Sequence, residues 1–135
     1  MKKILLGLIL ILLIFATNNV YAQTVDVTGT WEGYYEVPDW DYSADLTVEL
    51  EQTGNEVTGN ATTSDECKGK ITGTVNGYII TFKVKVKQTT VCCKGKWKGT
   101  AVVNENQDYM AMSFTIKDDC NGYAAGAGEL WKVSQ

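Results

Sequence analysis

Four cysteines carry the first chemical signal in this chain: Cys67, Cys92, Cys93 and Cys120, two of them adjacent. Thiols in this number can hold zinc, exchange electrons or pair as disulfides. Zinc ligands on one loop usually stand about two to four residues apart, and vicinal cysteines lack that gap. A labile vicinal pair is the redox alternative. In an exported chain, an even cysteine count reads as two disulfides.

Other reactive side chains are scarce. The chain has no histidine, so it has no Ser–His or Cys–His relay and no imidazole metal ligand. Asp39, Asp41, Asp65, Glu66, Asp118 and Asp119 could gather oxygen ligands for Ca²⁺, although no Ca²⁺ loop motif is present. Glu129 could face inward, where a buried carboxylate can act as an acid or base. No second residue pairs with it at a motif-level spacing. The expectation is a protein without catalytic residues, cofactor or metal.

Two groups of side chains suit binding instead. Trp31, Tyr35, Phe82, Trp97, Met112 and Phe114 fall on apolar positions of alternating segments, with Trp40 and Tyr42 in a neighbouring loop. They would line and gate an apolar ligand cavity. Lys68, Lys70, Lys83, Lys85, Lys87, Lys94, Lys96 and Lys98 alternate with apolar residues and would form one positive face. Such a face can steer a polyanion or an acidic partner protein, or meet the acidic side of a second copy in a homo-oligomer. The bland reading of both groups is an ordinary core and a solubilising wall.

The start of the chain sets the compartment. Met1-Lys2-Lys3 leads into an apolar run from Ile4 to Ala16, and Val20-Tyr21-Ala22 ends the segment with small residues at the last and third-last positions. This is the pattern of a signal peptide cleaved after Ala22, and the run is short for a membrane span. The expected domains are the signal at 1–22 and one domain at 23–135, secreted or periplasmic. Losing Lys2 and Lys3 moves the formal charge from −4 to −6. That balance argues against nucleic acid as the partner.

Beyond the signal, period-two alternation replaces any helical pattern. Eight strands are predicted: Val27–Val37, Ala44–Glu51, Glu56–Thr62, Cys67–Val75, Tyr78–Lys87, Val91–Val103, Tyr109–Ile116 and Tyr123–Val133. Either Leu130 or Trp131 would point inward on the last. Asn76-Gly77 is a hairpin signal. Short connections favour an all-β, eight-stranded antiparallel up-and-down (meander) barrel, closed so that no edge is left open. A two-sheet sandwich is the alternative. Outward Lys, Glu and Thr argue against a membrane barrel, whose outer band is apolar.

A meander sorts its turns onto two ends, and this one places all four cysteines at the same rim. Cys67 is expected to bond one of the vicinal pair, and Cys120 the other. The predicted strands bearing the lysines are neighbours, whereas the first two carry Glu32, Glu36, Glu49 and Glu51 outward. Three segments repeat a bulky residue flanked by glycines: Gly29–Gly33, Gly69–Gly73 and Gly95–Gly99. Inward glycines either admit large neighbours over the backbone or open a cavity.

Gly29-Thr30-Trp31 resembles the lipocalin G-x-W of the first strand, and Asp108-Tyr109 falls where the lipocalin T-D-Y element does. Thr28-Gly29-Thr30-Trp31 is also similar to the avidin start. The chain thus resembles the calycins. The lipocalin arginine over the first-strand tryptophan is absent, and Lys132 could replace it over Trp31. The residues avidins use for biotin are absent as well. The resemblance implies a secreted non-enzymatic barrel binding a small, mostly apolar ligand. The alternative is a module with a filled core that binds a polyanion or partner protein through its lysine face.

Overall fold

A computed structural model describes residues 23–134; the expected signal peptide lies outside them. Eight strands follow in order: β1 (Gly29–Val37), β2 (Tyr42–Thr53), β3 (Glu56–Thr63), β4 (Lys68–Asn76), β5 (Ile79–Val86), β6 (Gly95–Val103), β7 (Tyr109–Asp118) and β8 (Gly122–Ser134). Each pairs antiparallel with the next, and β8 returns to β1. The result is a closed meander barrel, which fits a calycin-like architecture. The sandwich is excluded because β1 and β8 pair along seven registered positions.

Alternation sorts the side chains. Ile80, Phe82 and Val84 are buried on β5 while Thr81, Lys83 and Lys85 are exposed. A one-residue slip would exchange these sets, so the register is strongly specified. Large residues sit beside small ones on the neighbouring strands. Phe114 is flanked by Gly99 and Gly126, and Phe82 by Gly73 and Gly99. A Cβ built on Gly126 would fall on the ring of Phe114. Gly73, Gly99 and Gly126 therefore make room for neighbouring rings, while Gly69 and Gly95 border open space at one rim.

The two ends differ. At one, residues 23–28 turn back under the barrel and bury Val25 and Val27. Gln52 clamps this segment: its Oε1 accepts from Val27 N at 2.9 Å, and its Nε2 donates to Val25 O at 2.9 Å. Trp31, fully buried, donates from Nε1 to Val27 O at 2.9 Å. Lys132 Nζ stands 5.4 Å from the centre of the Trp31 ring, as the sequence suggested. The predicted first strand began at Val27. It begins instead at Gly29, because Val27 belongs to this plug.

The other end is the cysteine rim. Cys67 bonds Cys92 and Cys93 bonds Cys120, with Cα atoms 5.5 and 6.0 Å apart. One cysteine of the vicinal pair therefore serves each partner, as expected. All four cysteines are paired, so none is left as a free thiolate to ligate zinc. The β6 strand starts at Gly95 rather than Val91. A turn around Thr89, whose Oγ1 accepts from Cys92 N at 3.1 Å, and the two disulfides hold residues 91–94 outside the ladder. Disulfides fit a compartment outside the reducing cytoplasm.

Glu129 corrects an expectation. It lies on the outer face of β8, where it accepts from Tyr34 Oη at 2.5 Å and Tyr109 Oη at 2.8 Å. Those two hydrogen bonds lower its pKa. The neighbouring position, Leu130, is the buried one, and Trp131 points outward. Glycines at 126 and 128 weaken the alternation signal there, which is why the face was ambiguous in sequence.

Candidate binding site at the disulfide rim

The barrel interior divides into two spaces of unequal size. The deep one has a volume of about 50 Å³ and only apolar walls, including Phe82 and Met112. By comparison, an apolar cavity that holds benzene measures about 150 Å³. The deep space has room for a water or two, far less than a ring-sized ligand needs. The second space opens at the cysteine rim, with a volume of about 270 Å³. It is large enough for a ring-sized ligand and stands near the small end of known ligand pockets, roughly 300 Å³.

Local sequence builds this pocket in layers. Tyr35 and Trp97 project inward from the rim ends of β1 and β6, both buried. Their ring centres are 4.8 Å apart. Trp97 stacks on Phe114 at 4.6 Å with planes 11° apart, and this pair closes the floor. Pro38 starts a single 3₁₀ turn, Pro38–Trp40, that ends at Asp41 in the left-handed region with φ 48°. The turn hangs half-buried Trp40 over the edge of the opening. Tyr42 follows at the first position of β2, and the Cys67–Cys92 disulfide forms part of the opposite wall.

Three of the polar groups are linked, and Thr63 and Lys68 line the space as well. Tyr35 Oη donates to Tyr42 Oη at 3.5 Å, and Tyr42 Oη donates to the Asp65 carboxylate. Burial, reinforced by the nearby Asp65 charge, pushes the Tyr35 pKa up to about 12. Tyr35 is therefore a neutral donor at ordinary pH. Asp118 and Asn121 line the pocket as well, but Asp118 is occupied locally, accepting from the backbone N–H of Cys120 and of Asn121. Among the described residues, no three acidic or thiol side chains converge to hold a metal ion.

Four of the eight residues expected to contact an apolar ligand meet here: Tyr35, Trp40, Tyr42 and Trp97. Phe114 supports the floor from behind. Phe82 and Met112 face the deep space, and Trp31 is part of the plugged end. Sequence reasoning missed Asp65 as the partner of Tyr42, since the two are 23 residues apart. It also missed an outer aromatic patch in which Trp131 packs against Tyr34 at 6.4 Å and Tyr109 at 5.4 Å. Three outward aromatic positions on strands that close the barrel were the available signal.

The eight lysines are all exposed on one sector of the outside. Register places Lys70 opposite Lys85, Lys85 opposite Lys96, and Lys83 opposite Lys98. Lys117, not anticipated, continues the row opposite Lys96. Glu32, Glu36, Glu49 and Glu51 are exposed on β1 and β2, and Glu49 and Glu51 border the lysine sector, sharing a surface recess with Lys70 across β3. Searches against protein-family models, curated proteins and solved structures return no match.

Proposed function

We propose that this barrel is a non-enzymatic binding protein that takes a small, mostly apolar ring-bearing ligand in the pocket at its disulfide rim. The observation that carries this reading is the pairing of a filled interior with one ring-sized pocket at its mouth. Apolar rings can lie on the Tyr35 and Trp97 faces beneath Trp40, where aromatic contacts contribute beyond their buried area. A polar substituent can reach the Tyr42–Asp65 pair. Two disulfides fix the wall, so little entropy is lost on closing around the ligand. Export through the N-terminal signal suits a protein that meets its ligand outside the cytoplasm.

Native mass spectrometry of the folded mature protein, followed by titration with small aromatic compounds, tests the proposal. Binding should quench tryptophan fluorescence at a stoichiometry of one. Trp40→Ala removes a half-buried rim side chain and should weaken binding about tenfold or more without altering the β-sheet circular dichroism spectrum. Equal binding by Trp40→Ala and the parent protein, or no binding of any ring compound, rejects the mouth as the site.

A further inference from the structure

We infer that the lysine sector forms a second binding site, a groove for an extended acidic polysaccharide. The groove adjoins the mouth pocket, sharing Thr63, Lys68, Val86 and Val91 with it, but the inference does not rest on a ligand in that pocket. A groove of about 1250 Å³, open to solvent, runs along the rim end of β3, β4, β5 and the start of β6, bordered by the 87–94 loop. Six lysines line it: Lys68, Lys70, Lys85, Lys87, Lys94 and Lys96. Glu66 is the single carboxylate among its lining residues.

The arrangement goes against stability. Like charges directly opposite on neighbouring strands are destabilising. Lys85 nevertheless has Lys70 on one side and Lys96 on the other, and Lys96 has Lys117 beyond it. The register partners of Lys70, Lys83, Lys85, Lys96 and Lys98 include no carboxylate. A wall that served only solubility would work as well with both signs interspersed. Here the chain is acidic as a whole, at −4, yet its cations are concentrated on a concave surface. Concave charged surfaces focus the field and raise the local concentration of counter-charged ligands.

The groove chemistry selects among polyanions. Nucleic acid sites present aromatic side chains for base stacking and arginine forks for phosphate. This groove has no aromatic residue, and the chain has no arginine. A protein interface needs an apolar core, and here Val86 and Val91 are the only large apolar residues in the lining. The uncharged polar residues among the lysines carry hydroxyls and amides: Asn60, Thr62, Thr63, Gln88, Thr89 and Thr90. Hydroxyls and amides can hydrogen-bond sugar hydroxyls while lysines, as mobile point charges, meet carboxylate or sulfate groups. Successive lysines on adjacent strands stand about 5 Å apart across the sheet, so a row matches a chain with regularly repeated charges.

The test uses the mature, disulfide-bonded protein at low salt with three immobilised probes: heparin, polygalacturonate and single-stranded DNA. Retention on at least one polysaccharide should exceed retention on DNA and be lost as salt is raised. Lys85→Gln with Lys96→Gln should lower polysaccharide affinity about tenfold or more. Ser113→Glu with Ala125→Glu makes the same net-charge change on the exposed β7–β8 face and should have little effect. Trp40→Ala should leave retention unchanged, which separates this site from the mouth. The inference is overturned if neither polysaccharide is retained, if DNA is held as tightly as both, or if the two double variants behave alike.

Discussion

Trp97 and Phe114 lie face to face, 4.6 Å between ring centres, and Phe114 reaches that position because both of its strand neighbours are glycine. The rings on two adjacent strands thereby become one floor under the mouth. Gly126→Ala should place a methyl group against the Phe114 ring and 2.7 Å from Glu36 O. Overpacking of this kind destabilises by about 1–3 kcal/mol. Phe114→Ala alone should lose about 3–5 kcal/mol. In the double variant, part of the Gly126→Ala loss should disappear, because the ring it strikes is gone. Chemical denaturation of the four proteins gives the coupling directly.

The disulfides should contribute separately. Each closes a loop of similar length, with separations of 25 and 27 residues. Replacing Cys67 and Cys92 together by serine should lower unfolding free energy by about 3 kcal/mol, and the Cys93–Cys120 pair should give a similar loss. Non-reducing peptide mapping should recover the two cross-linked pairs and no alkylatable thiol in the folded protein.

Alkaline pH should weaken the fold through Tyr35. Its pKa is raised in the folded protein to about 12, from an ordinary value of 10.0, chiefly by burial. The unfolded chain then loses this proton first. The stabilisation is complete below pH 10 and falls as pH rises from 10 toward 12, since the native state holds more protons in that window. Tyr35→Phe should flatten this part of the stability-against-pH curve. An unchanged slope in the variant would remove the assignment.

Lys85 should oppose folding at low salt. It faces Lys70 and Lys96 across the ladder, so Lys85→Gln should raise stability by about 0.5 kcal/mol. The gain should vanish near 1 M salt, where screening acts within roughly 3 Å. Thermal unfolding at two ionic strengths checks both the sign and the salt dependence.

The outer Tyr34–Glu129–Tyr109 cluster should be a tyrosine-dependent acid site. Hydrogen bonds from the two phenols hold the Glu129 carboxyl below its usual range. Tyr34→Phe with Tyr109→Phe should return its titration, followed by carboxyl carbon NMR, toward the ordinary value.

Much of the architecture was legible because strand alternation is a local property. Ile80, Phe82 and Val84 against Thr81, Lys83 and Lys85 specify one buried face with no knowledge of the partner strand. Eight such segments joined by short turns leave closure as the way to remove open edges. A meander then necessarily places Cys67, Cys92, Cys93 and Cys120 at one rim. The same local rule failed at Glu129, where inward glycines carry no hydrophobic signal. Whether the barrel was hollow was not a local question at all. It depended on volumes contributed by residues far apart in sequence: Phe114 over Gly126, Met112 beside Gly128, and Trp31 over the folded-back Val27. The same holds for the loop that borders the lysine wall. Sequence set which face each side chain takes; only the packing of distant strands decided how much space was left between them.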